Sequence, residues 1–98
     1  MGQIFGNFSA NNQESAEFVA SKFIIHLGTD TNSSFGTGGT VKVKSKSYDQ
    51  YDWTTDSITY TAMDIIKQDA DMLGSKFKIV IEDVTGGTVN LDYTITYE

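Results

Sequence analysis

The chain of 98 residues contains no cysteine and no proline, and each absence excludes particular kinds of site or linker. Without cysteine there is no disulfide, no cysteine-ligated zinc and no thiol nucleophile. Small secreted domains often depend on disulfides, so their absence favours assembly in the cytosol or stability gained from partner subunits. Without proline there is no polyproline linker and no proline-rich ligand motif.

Histidine and long apolar runs are also scarce. His26 is the single histidine, so no histidine cluster can bind a metal within one subunit. We expect His26 to be partly buried near a strand end, with an ordinary hydrogen-bond partner. No apolar run is long enough to span a bilayer, and residues 1–6 do not resemble a signal peptide. The sequence therefore predicts a soluble, unprocessed protein, complete as written, without a membrane partner.

Positive charge is in short supply, since 7 basic against 13 acidic residues give a formal net charge of -6. This balance opposes binding to nucleic acid or to an anionic membrane, because both require a cationic face. The lysines that alternate at 42, 44, 46, 76 and 78 are interpreted as a solvated sheet surface that discourages edge aggregation. A chain of this length forms one small core, without room for a deep active site.

Alternation of apolar and polar residues is the dominant pattern. It is clearest in residues 76–82 and 88–97, where apolar side chains occupy the odd positions from 77 to 81 and from 89 to 97. A period of two predicts strands with one face on a core and one in water. The turn at 83–87 joins them, so we predict a closing hairpin whose two strands belong to one sheet.

Three more strands are predicted upstream. Residues 17–27 carry apolar side chains in both parities, which predicts a strand covered on both faces near its end. Residues 40–47 alternate, with Val41 and Val43 inward, and residues 57–62 place two apolar side chains on one face.

The period changes between residues 62 and 73. Ala62, Ile66, Ala70 and Leu73 recur with helical spacing, so we predict a short helix or helical loop there. Five or six strands with one helical connection indicate an all-β fold, a small antiparallel β-sandwich, with a partly open barrel as the alternative.

Residues 1–16 are small and polar apart from Ile4, Phe5 and Phe8. Such a segment cannot form a core alone, yet three large apolar side chains are more than a disordered tail without contacts would carry. Two interpretations stay open: an extended arm that docks on a neighbouring surface, or an ordinary first strand followed by a capping loop. We describe the chain as an N-terminal arm over 1–16 and a single β-sandwich domain over 17–98.

No pattern points to catalysis, a cofactor or a metal, so we predict a protein that is not an enzyme. The glycines within 36–39 precede a predicted strand and lack the Gly-Lys ending of a phosphate loop, so they are interpreted as turn residues with positive φ. Two acidic clusters, at 49, 52 and 56 and at 64, 69 and 71, lack the spacing of a calcium loop.

Three aromatic residues form the candidate recognition loop, because aromatic side chains at a loop tip stack on sugars or anchor an interface. They are Tyr48, Tyr51 and Trp53. For Trp53 the favoured alternative is that it opens the next strand and packs into the core.

The run 34–45, with its Phe-Gly-Thr-Gly-Gly-Thr-Val sequence, is followed by the acidic turn and tryptophan of 48–53 and by the alternating strand that begins at Ser75. This order resembles small β-sandwich proteins of tailed-bacteriophage virions, over about residues 18–97. The resemblance implies a capsid decoration (cement) protein, assembled in the host cytoplasm and bound to the major capsid protein on the virion surface, as a homo-oligomer (dimer or trimer).

Under this interpretation Ile4, Phe5 and Phe8 contact the capsid or a neighbouring subunit. Deletion of residues 1–12 is then expected to abolish capsid binding and to leave the fold intact. The alternative is a carbohydrate- or receptor-binding module of a phage fibre or tail, which would use Tyr48, Tyr51 and Trp53.

Overall fold

The computed structural model describes residues 2–28, 33–46, 52–62, 64–69 and 75–98, which form nine β-strands and no helix. The strands are β1 Gly2–Phe8, β2 Phe18–Ala20, β3 Lys22–Leu27, β4 Ser34–Thr37, β5 Thr40–Lys46, β6 Thr54–Tyr60, β7 Asp64–Asp69, β8 Ser75–Glu82 and β9 Gly86–Tyr97. The predicted all-β class is confirmed.

The strands form two antiparallel sheets that pack face to face as a small β-sandwich. The five-stranded sheet has the order β1-β9-β3-β7, with β4 paired to the first part of β9, and the four-stranded sheet has the order β2-β8-β5-β6. Apolar side chains from both sheets fill the space between them. Those exposed by no more than 1% are Phe8, Ile25, Leu27, Val41, Ile79, Ile81, Leu91 and Ile95. The predicted sandwich is therefore confirmed.

The alternation seen in the sequence corresponds to burial in the structure. The odd positions from 77 to 81 and from 89 to 95 are buried, as are Val41 and Val43. Most polar residues between them are exposed or half-buried, so hydrophobic burial fixes which face of each strand turns inward.

The predicted closing hairpin is wrong, because β8 and β9 lie in different sheets. The short connection between them crosses from one layer of the sandwich to the other. Asp83 begins it in the left-handed conformation, with φ of 66°. The amide of Thr85 then donates to the carbonyl of Thr37, at 2.9 Å. An alternating strand buries the same residues in either arrangement, so the pattern does not distinguish a hairpin from a crossing.

The single strand predicted over 17–27 is two strands in two sheets. β2 pairs with β8 in the four-stranded sheet, whereas β3 pairs with β7 and β9 in the other. The break is at Ser21, whose amide donates to the carbonyl of Glu98 at 2.7 Å. The buried positions are therefore even-numbered in β2, as at Phe18, and odd-numbered in β3, as at Phe23. The mixed parity of the sequence reflects this change of sheet, and not a strand covered on both faces.

The helix predicted over 62–73 is also wrong, because Asp64–Asp69 forms β7 along the edge of β3. Ile65 and Ile66 are β-branched, and such residues favour an extended backbone over a helix. Pairing with β3 supplies the backbone hydrogen bonds that a helix would otherwise provide. The part of the predicted helix from residue 70 onward lies outside the described residues. Within the described part of the chain, no helix is long and apolar enough to cross a membrane.

The N-terminal residues form an edge strand, which corresponds to the second of the two interpretations above. β1 pairs with β9 along its whole length, from Gly2 opposite Tyr97 to Phe8 opposite Leu91. A Cβ on Gly2 would lie 2.3 Å from the ring of Tyr97, so glycine is what allows the ring to cover the strand. The ring of Tyr93 covers Gly6 in the same way, which fixes β1 on the sheet.

A capping loop follows β1. The side-chain oxygen of Gln13 accepts from the amides of Ser9 and Ala10, at 2.6 and 3.2 Å. The next residues run beside β8, where the amide of Asn12 donates to the carbonyl of Ile81 at 2.8 Å. Glu14 forms an isolated β-bridge opposite Val80. Val80 is only 3% exposed, although it alternates with Ile79 and Ile81, which face the core.

Candidate interaction surfaces

The three predicted N-terminal contact residues are separated by the alternation of β1. Phe8 is buried and stacks on Tyr93, with the ring centroids 4.7 Å apart. Ile4 is half-buried and packs against the core. Phe5, in contrast, is 71% exposed and faces away from the core. The prediction that all three contact a partner is therefore wrong for Phe8, whose side chain belongs to the core.

Phe5 belongs to a row of side chains across the outer face of the five-stranded sheet. It lies opposite Thr94 on β9, Thr94 lies opposite His26 on β3, and His26 lies opposite Ile65 on β7. His26 is exposed, so the expectation that it is partly buried is wrong. Neighbouring strands are about 4.8 Å apart, so the row spans about 15 Å of the sheet.

A third large apolar residue, after Phe5 and Ile65, borders this row. Ile24, beside His26 on the same face of β3, lies opposite Thr96 of β9. We call the surface made by Phe5, Ile24, His26, Ile65, Thr94 and Thr96 the outer apolar face. Of the four large hydrophobic side chains exposed in the described residues, three belong to it, at 71%, 37% and 51% exposure.

The sequence pattern alone does not mark Ile24 and Ile65 as surface residues. The signal for Ile24 was the mixed parity of residues 17–27, which places it outward once the strand is divided at Ser21. For Ile65 no signal was available, because the segment was assigned helical spacing.

The outer face of the four-stranded sheet carries lysines at 42, 44 and 46 of β5 and at 76 and 78 of β8. Lys42 Nζ lies 3.2 Å from Glu82 and 3.0 Å from Asp83. Lys78 Nζ lies 2.6 Å from Glu14, and its side chain is 12% exposed. All five lysines are half-buried, and Lys42, Lys44 and Lys78 pair with carboxylates, so this face is not simply solvated as predicted. We call this surface the lysine face.

The Lys42 and Asp83 pair perturbs both groups. A hydrogen bond from the Lys42 ammonium, with a second from Thr40, lowers the pKa of the Asp83 carboxyl below its ordinary value of 3.8. The same hydrogen bond to Asp83, and another to Glu82, raise the pKa of Lys42 above 10.5. A lowered carboxyl pKa stabilises the fold above the unfolded value, and this contribution is lost as the pH falls through the folded value.

We expect Asp83→Asn to reduce the acid sensitivity of the fold slightly. Asparagine tolerates the left-handed backbone at this position and still accepts a hydrogen bond, so the variant removes mainly the charge. The difference in Tm between the parent and the variant should shrink between about pH 5 and about pH 3. The effect should be small because the Asp83 side chain is 59% exposed. A Tm difference that is constant over this range would contradict the assignment.

Trp53 lies on the lysine face. It immediately precedes β6, as the favoured alternative predicted, but it is half-buried and is not part of the core. The ammonium groups of Lys46 and Lys78 lie 4.7 and 4.5 Å from its ring centroid, which are cation–π distances. Tyr48 and Tyr51 lie outside the described residues, so the predicted recognition loop is described only at Trp53.

The glycine-rich segment has the geometry predicted for a turn. Gly36 and Gly38 have φ of 73° and 75°, and strand β5 follows at Thr40. A Cβ on Gly39 would lie 2.0 Å from the carbonyl oxygen of Phe35. Glycine at this position therefore allows the close approach of two backbone segments.

In the described part of the chain, no three histidine, cysteine or acidic residues are placed to hold a metal ion. Of the two predicted acidic clusters, positions 49 and 71 lie outside the described residues. Only the backbone is described at 64 and 69.

Comparison of the chain with protein-family models, with curated proteins and with solved structures finds no match.

Proposed function

We propose that this chain is a non-enzymatic structural protein that binds the outside of a repetitive protein shell through its outer apolar face. In a virion this is the role of a capsid decoration protein bound to the major capsid protein. The observation that carries the proposal is the exposure of Phe5, Ile24 and Ile65 on one face of one sheet.

The composition of this face suits a protein partner. Exposed apolar patches on monomeric proteins mark interaction sites, and three of the four exposed large apolar side chains in the described residues share this face. Thr94 and Thr96 separate the apolar side chains, and they offer short hydroxyl groups with little conformational entropy to lose. A repetitive shell strengthens such weak contacts. Once one site is bound, the effective concentration of the neighbouring sites is high.

A capsid is proposed as the shell because the order of motifs in residues 34–53 and from Ser75 onward resembles that of small β-sandwich proteins of phage virions. The capsid surface would then be its location, after assembly in the host cytoplasm. No nucleic acid, membrane or cofactor is part of this proposal.

Co-sedimentation with assembled capsids of the encoding virus tests the proposal. The parent should sediment with the shells and saturate at a fixed ratio to the lattice. Ile65→Glu should weaken binding at least about tenfold, since it places a charge in an apolar contact. Val19→Glu is the matched control, because Val19 is 50% exposed against 51% for Ile65 but lies on the other sheet.

The control should bind like the parent. Failure of the parent to sediment with the shells would overturn the proposal. Equal binding by the parent and both variants would overturn the choice of the outer apolar face.

A glycan- or receptor-binding role at Tyr48, Tyr51 and Trp53 stays the alternative prediction. A sugar that stacks on Trp53 from the side of Lys46 and Lys78 would have to displace both ammonium groups. No contact of the described residues favours this role, so the shell-binding proposal is preferred.

A further inference from the structure

The edge strands of the sandwich differ in how they are protected against pairing with another chain. Natural sheets block their edges with short strands, charged side chains, proline or bulges. β2 has three residues, β4 has four with a register shift, and β6 contains Asp56 beside a register shift against β5. The sequence of β7 carries Asp64, Lys67 and Asp69.

β1 has none of these features. It is seven residues long, carries no charged residue and no proline, and pairs with β9 in one unbroken register. In the described part of the chain β1 has a strand neighbour on one side only. Its other side therefore presents backbone donors and acceptors in an extended, ordered row.

The edge is also held in place by the core. The rings of Tyr97 and Tyr93 cover Gly2 and Gly6, and Phe8 is buried at the end of the strand. A partner strand would therefore meet a preformed template, so little backbone entropy is lost on pairing.

We propose that β1 pairs with β1 of a second copy of this chain, antiparallel about a two-fold axis at Phe5, so that the two five-stranded sheets become continuous. This inference does not rest on the shell-binding proposal. Several antiparallel registers would place inward-facing residues opposite inward-facing residues. Of these, the register centred on Phe5 pairs all seven residues of each β1 strand. It also keeps inward side chains facing inward and outward side chains facing outward.

The side chains match in this register. On the inner face each large residue meets a glycine, with Ile4 opposite Gly6 and Phe8 opposite Gly2 of the second copy. On the outer face Gln3 lies opposite Asn7, and the two exposed Phe5 rings lie directly opposite each other. Aromatic cross-strand pairs of this kind stabilise antiparallel sheets.

Charge favours this edge over the others. Each copy carries a formal charge of -6, so two copies repel each other at most orientations. Residues 1–13 contain no charged side chain. Pairing through β1 therefore brings together the segments of the two copies that repel least.

The experiment is size-exclusion chromatography with light scattering over a range of concentrations. The parent should approach twice its monomer mass of 10.8 kDa. Phe5→Lys and Phe5→Glu should each remain at 10.8 kDa, because each places like charges opposite one another at the axis. An equimolar mixture of the two variants should regain the dimer, since the opposed charges then attract.

Val19→Lys is the control for added charge on an exposed residue of another strand, and it should dimerise like the parent. Circular dichroism melts of all variants confirm that each is folded. A parent that stays monomeric, a trimer, or a Phe5→Lys dimer with unchanged concentration dependence would overturn the inference. None of these measurements involves capsids, so their outcome is independent of the shell-binding test.

Discussion

Phe8→Ala is expected to lower the free energy of unfolding by about 3–5 kcal/mol, whereas Phe5→Ala should change it by less than about 0.5 kcal/mol. Phe8 is 1% exposed and stacks on Tyr93, so its truncation leaves a cavity in the core. Phe5, at 71% exposure, leaves none. Denaturant unfolding of the parent and both variants measures the two effects.

The comparison requires dilute protein, so that any pairing through β1 does not add to the stability of the parent. The two variants remove the same side chain from the same strand, three positions apart, and each is the control for the other. Similar losses for both would contradict the assignment of Phe8 to the core and Phe5 to the surface.

Deletion of residues 1–12 is expected to abolish cooperative unfolding. This reverses the expectation from the sequence that the fold would survive without the segment. The deletion removes β1 and Phe8, leaves Tyr93 and Ile95 paired with β3 on one side only, and breaks the hydrogen bond from Asn12 to Ile81. One edge strand of a domain this small is a large part of its buried apolar surface.

Near-ultraviolet circular dichroism and thermal melts measure the loss. A synthetic peptide of residues 1–12 provides the matched control, because binding of the missing strand should restore part of the native signal. A shuffled peptide of the same composition should not. A truncated chain that melts cooperatively near the midpoint of the parent would show that β1 contributes little to the fold.

The sequence predicted the faces of the strands well and their partners poorly. Alternation identified the inward positions of β5, β8 and β9, because hydrophobic burial enforces a period of two wherever one face meets the core. It did not reveal that β8 and β9 lie in opposite sheets, since both arrangements bury the same side chains. Strand pairing depends on the path of the connection, here set by Asp83 and by the bond from Thr85 to Thr37.

Two other errors have a similar origin. The spacing of Ala62, Ile66 and Ala70 suited a helix, but pairing with β3 and the β-branched isoleucines favour the strand observed for β7. At the N-terminus the sequence could not decide between an arm and a strand. The glycines that admit the rings of Tyr93 and Tyr97 become informative only when β9 is placed beside β1.

The position of β9 in the five-stranded sheet determines when that sheet can form. β1 pairs with β9, and β3 pairs with β9 as well as with β7, so β1 has no strand partner in the described sheet until residues 86–97 have been synthesised. During synthesis, β1 is a segment without charged side chains whose partner residues in β9 lie more than 80 residues later in the sequence. Folding of this layer therefore depends on contacts between residues far apart in sequence, which slows it. Until it is complete, the same segment is exposed to strand pairing between nascent chains.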